Sequence, residues 1–287
     1  MEKKKSLKKC KIFLIVIVFL LVVVCLWGSW ENNSPQVSHY VIESQLIPKS
    51  FNGFKICQIS DFHNARFGEN NVNLLNLIKE QNPDIIVFTG DIVDCVHTNV
   101  ERSVQFATDT AKICPTYYVS GNHEGQIKNY AELFSGIEKG GVKILNNQTI
   151  NLEKNGEIIE LIGVCDPHFS SKREKNAEKI AMDSNLKIAV KNTDNYKILL
   201  SHRPELFETY AQYSVDLVFS GHAHGGQFRL FGVGLVAPEQ GLFPKLDAGK
   251  FIEKNTTMIV SRGLGNSIIP IRLNNRPELV VATLKSK

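Results

Sequence analysis

IIVFTGD, residues 85–91, runs through five strand-favouring residues without a break and then stops at a glycine and an aspartate. A strand with one solvated face alternates apolar and polar residues; an unbroken run fits a strand covered on both faces, as in the sheets of α/β proteins. The pattern recurs: FKICQI (54–59) stops at Ser60-Asp61, TYYVS (116–120) at Gly121-Asn122-His123, YKILLS (196–201) at His202, and VDLVFS (215–220) at Gly221-His222. Longer mixed stretches between some of these runs, 71–81 and 100–114, have helical spacing, so strand alternates with helix and the fold class is α/β. Later runs, ELIGV (160–164), TMIVS (257–261) and ELVVATL (278–284), are separated by turns more than by helices and predict a more antiparallel second layer. A charged, alanine-containing stretch over 170–195 reads as helical.

In α/β sheets the carboxyl ends of neighbouring strands open onto a shared crevice, so polar residues at those ends meet although far apart in sequence. Here they are Asp61, His63, Asp91, Asn122, His202, His222 and His224. Any one has a plainer explanation, because strand-end Asp and Asn cap helices and a lone histidine is usually a polar surface or core residue. Capping does not explain five strand ends that all carry such donors. Two aspartates, an asparagine and four histidines offer mixed oxygen and nitrogen donors without thiolate, which suits Mn, Fe or Zn and not a structural cysteine-rich zinc site. Seven donors exceed the needs of one tetrahedral ion; two divalent ions about 3.5–4 Å apart, sharing a carboxylate, employ them all and suit in-line displacement at phosphorus. The loop GHAHGGQ (221–227) sets two of the histidines one residue apart, between glycines that permit a sharp turn.

Six lysines between Lys3 and Lys11 precede an unbroken apolar run from Ile12 to Trp27, with Trp30 just beyond. Through Trp30 a helix is about 28 Å long, close to the roughly 30 Å hydrocarbon core of a bilayer. Lysines on one flank predict a cytoplasmic N-terminus, the tryptophans fit the far interface, and no small-x-small cleavage site follows. The expected organisation is a cytoplasmic tip and anchor over 1–30, a short polar linker over 31–36 (ENNSPQ), and one catalytic domain over 37–287. That makes a single-pass protein of the cell membrane with its catalytic domain outside the cytoplasm. The anchor also carries the formal charge of +4: residues 1–30 hold six lysines and Glu2, so the remainder has 27 basic and 28 acidic residues, a net of −1. A broad basic groove for nucleic acid is thereby disfavoured, and the lysines are assigned to anionic membrane lipid at the inner surface. Beyond the anchor the cysteines are Cys57, Cys95, Cys114 and Cys165, with no C-x-x-C, and read mostly as buried thiols.

The ordered motifs D-x-H (61–63), G-D-x-x-D (90–94), G-N-H-E (121–124), a later histidine at 202 and G-H-x-H-G-G-Q (221–227) resemble the calcineurin-like metallophosphoesterase family. They are most similar to a bacterial membrane-associated branch related to the UDP-2,3-diacylglucosamine hydrolases, whose ending VSRGLGNSIIPIRLNNRPELVV (260–281) also resembles. The resemblance covers most of the chain beyond the anchor and implies a four-layer αββα sandwich of two mixed sheets, with the site on loops at one edge. It further implies that Asp61, His63, Asp91 and His224 hold one ion and Asp91, Asn122, His202 and His222 the other, with Asp91 bridging and a shared hydroxide as nucleophile. His123 is then the candidate catalytic residue, stabilising phosphoryl charge or protonating the leaving oxygen. Asp94 and Glu124 are candidates for orienting neighbouring side chains, Asp166 and His168 for lining the pocket, and Gln227 for a substrate contact. The expected activity is hydrolysis of phosphodiester or pyrophosphate bonds, and the anchor points to lipid-linked or envelope substrates. Two other readings stand beside it. A non-catalytic metal-dependent binding domain is opposed by the intact donor series, and an extracellular nuclease or nucleotide phosphodiesterase wants a basic groove that the charge balance does not supply.

Overall fold

The computed structural model describes residues 2–169, 176–266 and 271–287. A long helix, α1 (Glu2–Asn33), leads into β1 (Gln36–Ser44) and β2 (Lys55–Ile59). Then come α2 (Val72–Gln81), β3 (Ile85–Thr89), α3 (Val100–Ala111), β4 (Thr116–Val119), the short α4 (Asn122–Gln126), α5 (Tyr130–Lys139) and β5 (Lys143–Ile144). The second half contains β6 (Gln148–Lys154), β7 (Glu157–Gly163), α6 (Ala177–Ala189), β8 (Tyr196–Leu200), α7 (Phe207–Tyr210) and β9 (Leu217–Ser220). Four two-residue strands follow, β10 (Arg229–Leu230), β11 (Val233–Gly234), β12 (Val236–Ala237) and β13 (Gly241–Leu242), and the chain ends with β14 (Gly249–Glu253), β15 (Thr256–Val260) and β16 (Glu278–Ser286).

Two six-stranded mixed sheets result, ordered β1-β16-β2-β3-β4-β5 and β14-β15-β9-β8-β7-β6. Three apolar clusters show how the layers stack. Ile85 and Val87 of β3 meet Ile198 and Leu200 of β8 between the sheets. Ile86 and Phe88, the alternate residues of β3, pack instead under Leu74 and Ile78 of α2, Phe106 of α3 and Leu133 of α5. On the opposite face, Leu199 of β8 and Val218 of β9 lie against Met182 and Leu186 of α6. Both faces of each central strand are therefore covered, which is why the runs do not alternate, and the architecture is αββα.

The second sheet is the more antiparallel of the two, as expected, but only at its edges: ELIGV (β7) pairs antiparallel with β6 and TMIVS (β15) with β14, against one antiparallel pair in the first sheet, while β7, β8, β9 and β15 are mutually parallel. The connections are the reason, since α6 carries the chain from β7 to β8, and a hairpin is excluded wherever the link contains a crossover helix. Residues 170–175, the start of the stretch read as helical, lie outside the described residues; helix is present over Ala177–Ala189. The last strand, β16, joins the first sheet, inserted parallel to β1 and antiparallel to β2.

Lys11–Asn33 of α1 is long and apolar enough to cross a membrane, and its apolar side chains stand exposed on the chain alone. Its last turn is fastened to the body of the protein. The Glu31 carboxylate accepts from the Asn274 N–H at 2.7 Å, Asn32 Oδ1 accepts from the Arg272 N–H at 3.2 Å, and the Arg276 guanidinium lies over the Trp30 ring. Helix continues through Asn33 and β1 begins at Gln36, so only Ser34 and Pro35 lie between the two elements.

Candidate metal centre

Five strands of the two sheets end at one edge, and each delivers part of a cluster. β2 leads to Asp61 and His63, β3 to Asp91, β4 to Asn122 at the first position of α4, β8 to His202, and β9 to His222 and His224. All but the half-buried Asn122 are buried. His63 Nε2 lies 3.2 Å from His224 Nε2, and Asp61 Oδ1 is 3.4 Å from the latter. On the other side His202 Nε2 lies 3.1 Å from both His222 Nδ1 and Asn122 Oδ1. Asp91 Oδ2 stands between the two sets, 3.2 Å from His202 Nε2 and 3.7 Å from His63 Nε2. Two three-residue groups, Asp61-His63-His224 and Asp91-His202-His222, each bring their donor atoms close enough for one ion, and a third joins His63 and Asp91 to His123.

The backbone is bent to achieve this. Asp61, His63, Asp91, His222 and His224 all have positive φ, between 45° and 64°. Such conformations cost a non-glycine residue of order 1–3 kcal/mol and persist where surrounding structure enforces them. Two glycines permit the crowding: a Cβ on Gly221 would come within 1.8 Å of Ser60 Oγ, and one on Gly121 within 2.2 Å of Asp91 Oδ1.

The donor set fits divalent cations on the protein's own geometry. Ring nitrogens at 3.1–3.2 Å in two pairs place lone pairs opposite one another unless a proton or cation lies between them. Burial pulls His63 down to about 4 despite nearby Asp91, and holds His224 well below the ordinary histidine value with help from the charges of His63 and Arg272. Both rings are therefore neutral at pH 7, the ligating form. His202 behaves oppositely. Burial disfavours its charge, but the Asp91 carboxylate outweighs that and raises it to about 10. The Thr89 carbonyl, 2.7 Å from His202 Nδ1, takes the proton on that nitrogen and turns Nε2 toward the cluster.

The remaining expected residues take distinct places. Glu124 is fully buried and accepts from the backbone N–H groups of Asp91 (3.0 Å), Ile92 (2.8 Å) and Gly121 (2.6 Å), so it clamps two of the loops. Burial and Asp91 push its carboxyl up to about 7 against those donors. Asp94 Oδ2 lies 4.0 Å from His63 Nδ1, while its Oδ1 accepts from Val96 and His97 N–H. His123 Nδ1 accepts from the Cys95 N–H at 3.0 Å, which leaves its proton on Nε2, 3.8 Å from Asp91 Oδ2. Asp166 binds Arg203 through both oxygens, at 2.7 and 3.2 Å. His168 is exposed beside Gly125 of α4, and the Gln227 amide donates to the Ile271 carbonyl at 2.7 Å.

Three supporting residues escape a reading of the sequence. Glu239 Oε2 lies 2.6 Å from His222 Nε2; buried Arg203 has Nη1 3.4 Å from Glu239 Oε1; and fully buried Arg272 has Nη2 3.2 Å from His224 Nδ1. Burial works to raise the Glu239 carboxyl, but the hydrogen bond from His222 and the charges of His222 and Arg203 win and pull it to about 2. The adjacency of Arg203 to His202 was a usable signal; Glu239 and Arg272 lie in irregular segments with no periodicity to mark them.

The family profile described as calcineurin-like phosphoesterase matches residues 54–226, which contain the whole cluster. The chain is 30% identical over 272 residues to the uncharacterized metallophosphoesterase YkuE of Bacillus subtilis, covering 89% of this chain and 87% of that protein. It is 29% identical over 278 residues to an uncharacterized metallophosphoesterase of Aquifex aeolicus, covering 94% and 99%. A transmembrane protein with metallophosphoesterase domain from Danio rerio is 27% identical over 262 residues, 88% of this chain and 57% of that one.

Proposed function

Because the chain belongs to the calcineurin-like phosphoesterase family, we propose that it is a membrane-anchored, two-metal hydrolase of phosphodiester or pyrophosphate bonds. On this reading residues 1–30 are the cytoplasmic tip and anchor, 31–36 the link, and 37–287 the catalytic domain outside the membrane. Asp61, His63, Asp91 and His224 would hold one ion, and Asp91, Asn122, His202 and His222 the other. The observation that carries the proposal is the position of Asp91 Oδ2 within reach of both histidine pairs. Mn, Fe or Zn ions bound there would supply Lewis acidity and lower the pKa of water toward neutrality.

The chain's own residues have separable tasks. His123, its proton fixed on Nε2 by the Cys95 N–H, donates to the departing oxygen or to a phosphoryl oxygen. Glu124 keeps the Asp91 and Gly121 loops together, and Glu239 orients His222 so that Nδ1 faces the cluster. The two arginines that touch this network are engaged, Arg203 by Asp166 and Arg272 by the Arg262 and Gly265 carbonyls. Neither is offered to the second negative charge of a phosphomonoester, which favours diesters over monoesters.

The test is to load the full-length chain with Mn²⁺, Fe²⁺ or Zn²⁺ in detergent and compare aryl and alkyl phosphodiesters, a lipid pyrophosphate and phosphomonoesters. Metal-dependent diester or pyrophosphate hydrolysis that chelation abolishes is expected. A chain holding two ions and hydrolysing none of these would establish the binding-domain reading instead.

A further inference from the structure

Exposed apolar side chains stand at the tip of one small hairpin, β10–β11, and at the open end of a second, β12–β13. Between β10 and β11 the chain turns through Phe231 and Gly232, at φ 51° and 84°. Positive φ at both central residues is the requirement of a type I′ turn, where Asn-Gly is favoured and a bulky residue is an outlier. Phe231 is nonetheless there and 97% exposed. Just after β13, at the open end of the second hairpin, Phe243 also has a positive φ, 54°, and is 66% exposed, beside Leu242 at 75%. Neither phenylalanine serves its turn or a core. Lys245 follows, also exposed.

Both hairpins are hydrogen-bonded into the strip that holds the helix. The Arg229 N–H donates to the Leu273 carbonyl at 3.0 Å, and the next residues of that strip and the one before bind Glu31 and Asn32 of α1. The second hairpin joins through the Phe243 N–H to the Leu235 carbonyl, and Leu235 N–H to the Phe228 carbonyl, both at 2.9 Å. The strip also meets the metal loop, since the Ile271 carbonyl accepts from Gln227. One hydrogen-bonded unit therefore connects the apolar helix, the two exposed phenylalanines and the GHAHGGQ loop.

We propose that Leu230, Phe231, Val233, Leu242, Phe243 and Ile271 form a second membrane contact, seated in the interface of the bilayer that α1 crosses, and that the site accordingly takes phosphoesters whose apolar part stays in that bilayer. The proposal rests on reading α1 as a membrane span and the cluster as hydrolytic. Lipid is the occupant because α1 already requires hydrocarbon at one end of this hydrogen-bonded unit, so the surface needs no other partner. Exposed aromatic and aliphatic residues followed by a lysine have the composition of interfacial segments, with the cation placed for anionic headgroups.

The experiment uses the full chain in phosphatidylcholine–phosphatidylglycerol vesicles containing acyl-brominated lipid. In a Trp27→Phe/Trp30→Phe background, a single reporter is introduced as Phe231→Trp, Phe243→Trp or Glu153→Trp, the last on exposed β6 at the sheet end opposite the cluster. Bromolipid should quench the reporters at 231 and 243 strongly and the one at 153 weakly; equal, weak quenching at all three overturns the membrane contact. In the native-tryptophan chain, the Phe231→Ser/Phe243→Ser double variant should lower hydrolysis of a vesicle-embedded phosphodiester about tenfold relative to a water-soluble aryl diester, from the lost burial of two aromatic rings. An unchanged ratio overturns the substrate class. If the parent chain hydrolyses neither compound, the hydrolytic reading and the substrate class fall together, and quenching alone decides the membrane contact.

Discussion

His222 and His224 stand two positions apart on one loop, yet opposite charges lie behind them. Behind His222 is the Glu239 carboxylate, 2.6 Å from Nε2; behind His224 is the Arg272 guanidinium, 3.2 Å from Nδ1. A carboxylate accepts the Nε2 proton and so commits Nδ1, with its lone pair, to the cluster, making a more basic ligand. A guanidinium only donates. It opposes a second proton on His224, adding to the burial that already keeps that ring neutral. The two halves are consequently vulnerable in different ways. The His222 half depends on an acid whose side chain is 39% exposed, whereas the His224 half depends on an arginine that also holds the backbone carbonyls of Arg262 and Gly265.

The largest effect should come from removing what the halves share. Asp91→Ala is expected to lose both ions and nearly all hydrolysis, read by elemental analysis and diester turnover; two tightly held ions in that variant would sever the halves and end the bridging assignment. His123→Ala should keep both ions and lose about 10²–10⁴-fold on alkyl phosphodiesters, the range for a positioned acid or base, but much less on aryl esters with good leaving groups. Equal losses would assign His123 to holding phosphoryl oxygens throughout. Loss of an ion would place it among the ligands, as its proximity to His63 and Asp91 allows.

Substituting the two backing residues separately tests the comparison itself. Glu239→Gln should weaken metal affinity about 10–100-fold in chelator competition while leaving the fold intact. Arg272→Met should instead destabilise the metal-free protein by about 1–3 kcal/mol in denaturant titration, because buried carbonyls lose their donors. The reverse pattern would invert the two roles. Acid sharpens the same contrast. The folded Glu239 carboxyl lies near 2, below its ordinary 4.5, so its contribution is present above about pH 4.5 and is lost as pH falls toward 2. Metal-free Glu239→Gln should lack that component of acid sensitivity; an unchanged acid profile would show that the pair adds nothing. The smallest effect is expected for Gln227→Ala, which loses a tie to Ile271 but should retain both ions; loss of either would make that tie part of the metal centre.

The donor residues were legible because each follows its strand immediately: an apolar run and the polar stop after it are written in adjacent letters, as in IIVFTGD and GHAHGGQ. Helices over 72–81 and 100–111 were legible for a similar reason, their spacing being local. The parallel centre of the second sheet was not, since strand direction there depends on how each connection crosses the sheet.

By itself, then, the sequence determined the strands buried on both faces, the order of polar stops along them, and an apolar N-terminal helix of bilayer length, all properties of neighbouring residues. Tertiary structure alone decided that β16 enters between β1 and β2, that Glu239 stands behind His222 and Arg272 behind His224, and that five of the cluster's residues adopt positive φ. Those pairs are 17 and 48 residues apart. No local pattern encodes such contacts, because they are set by which packed layers bring two irregular segments to the same edge and hold them there.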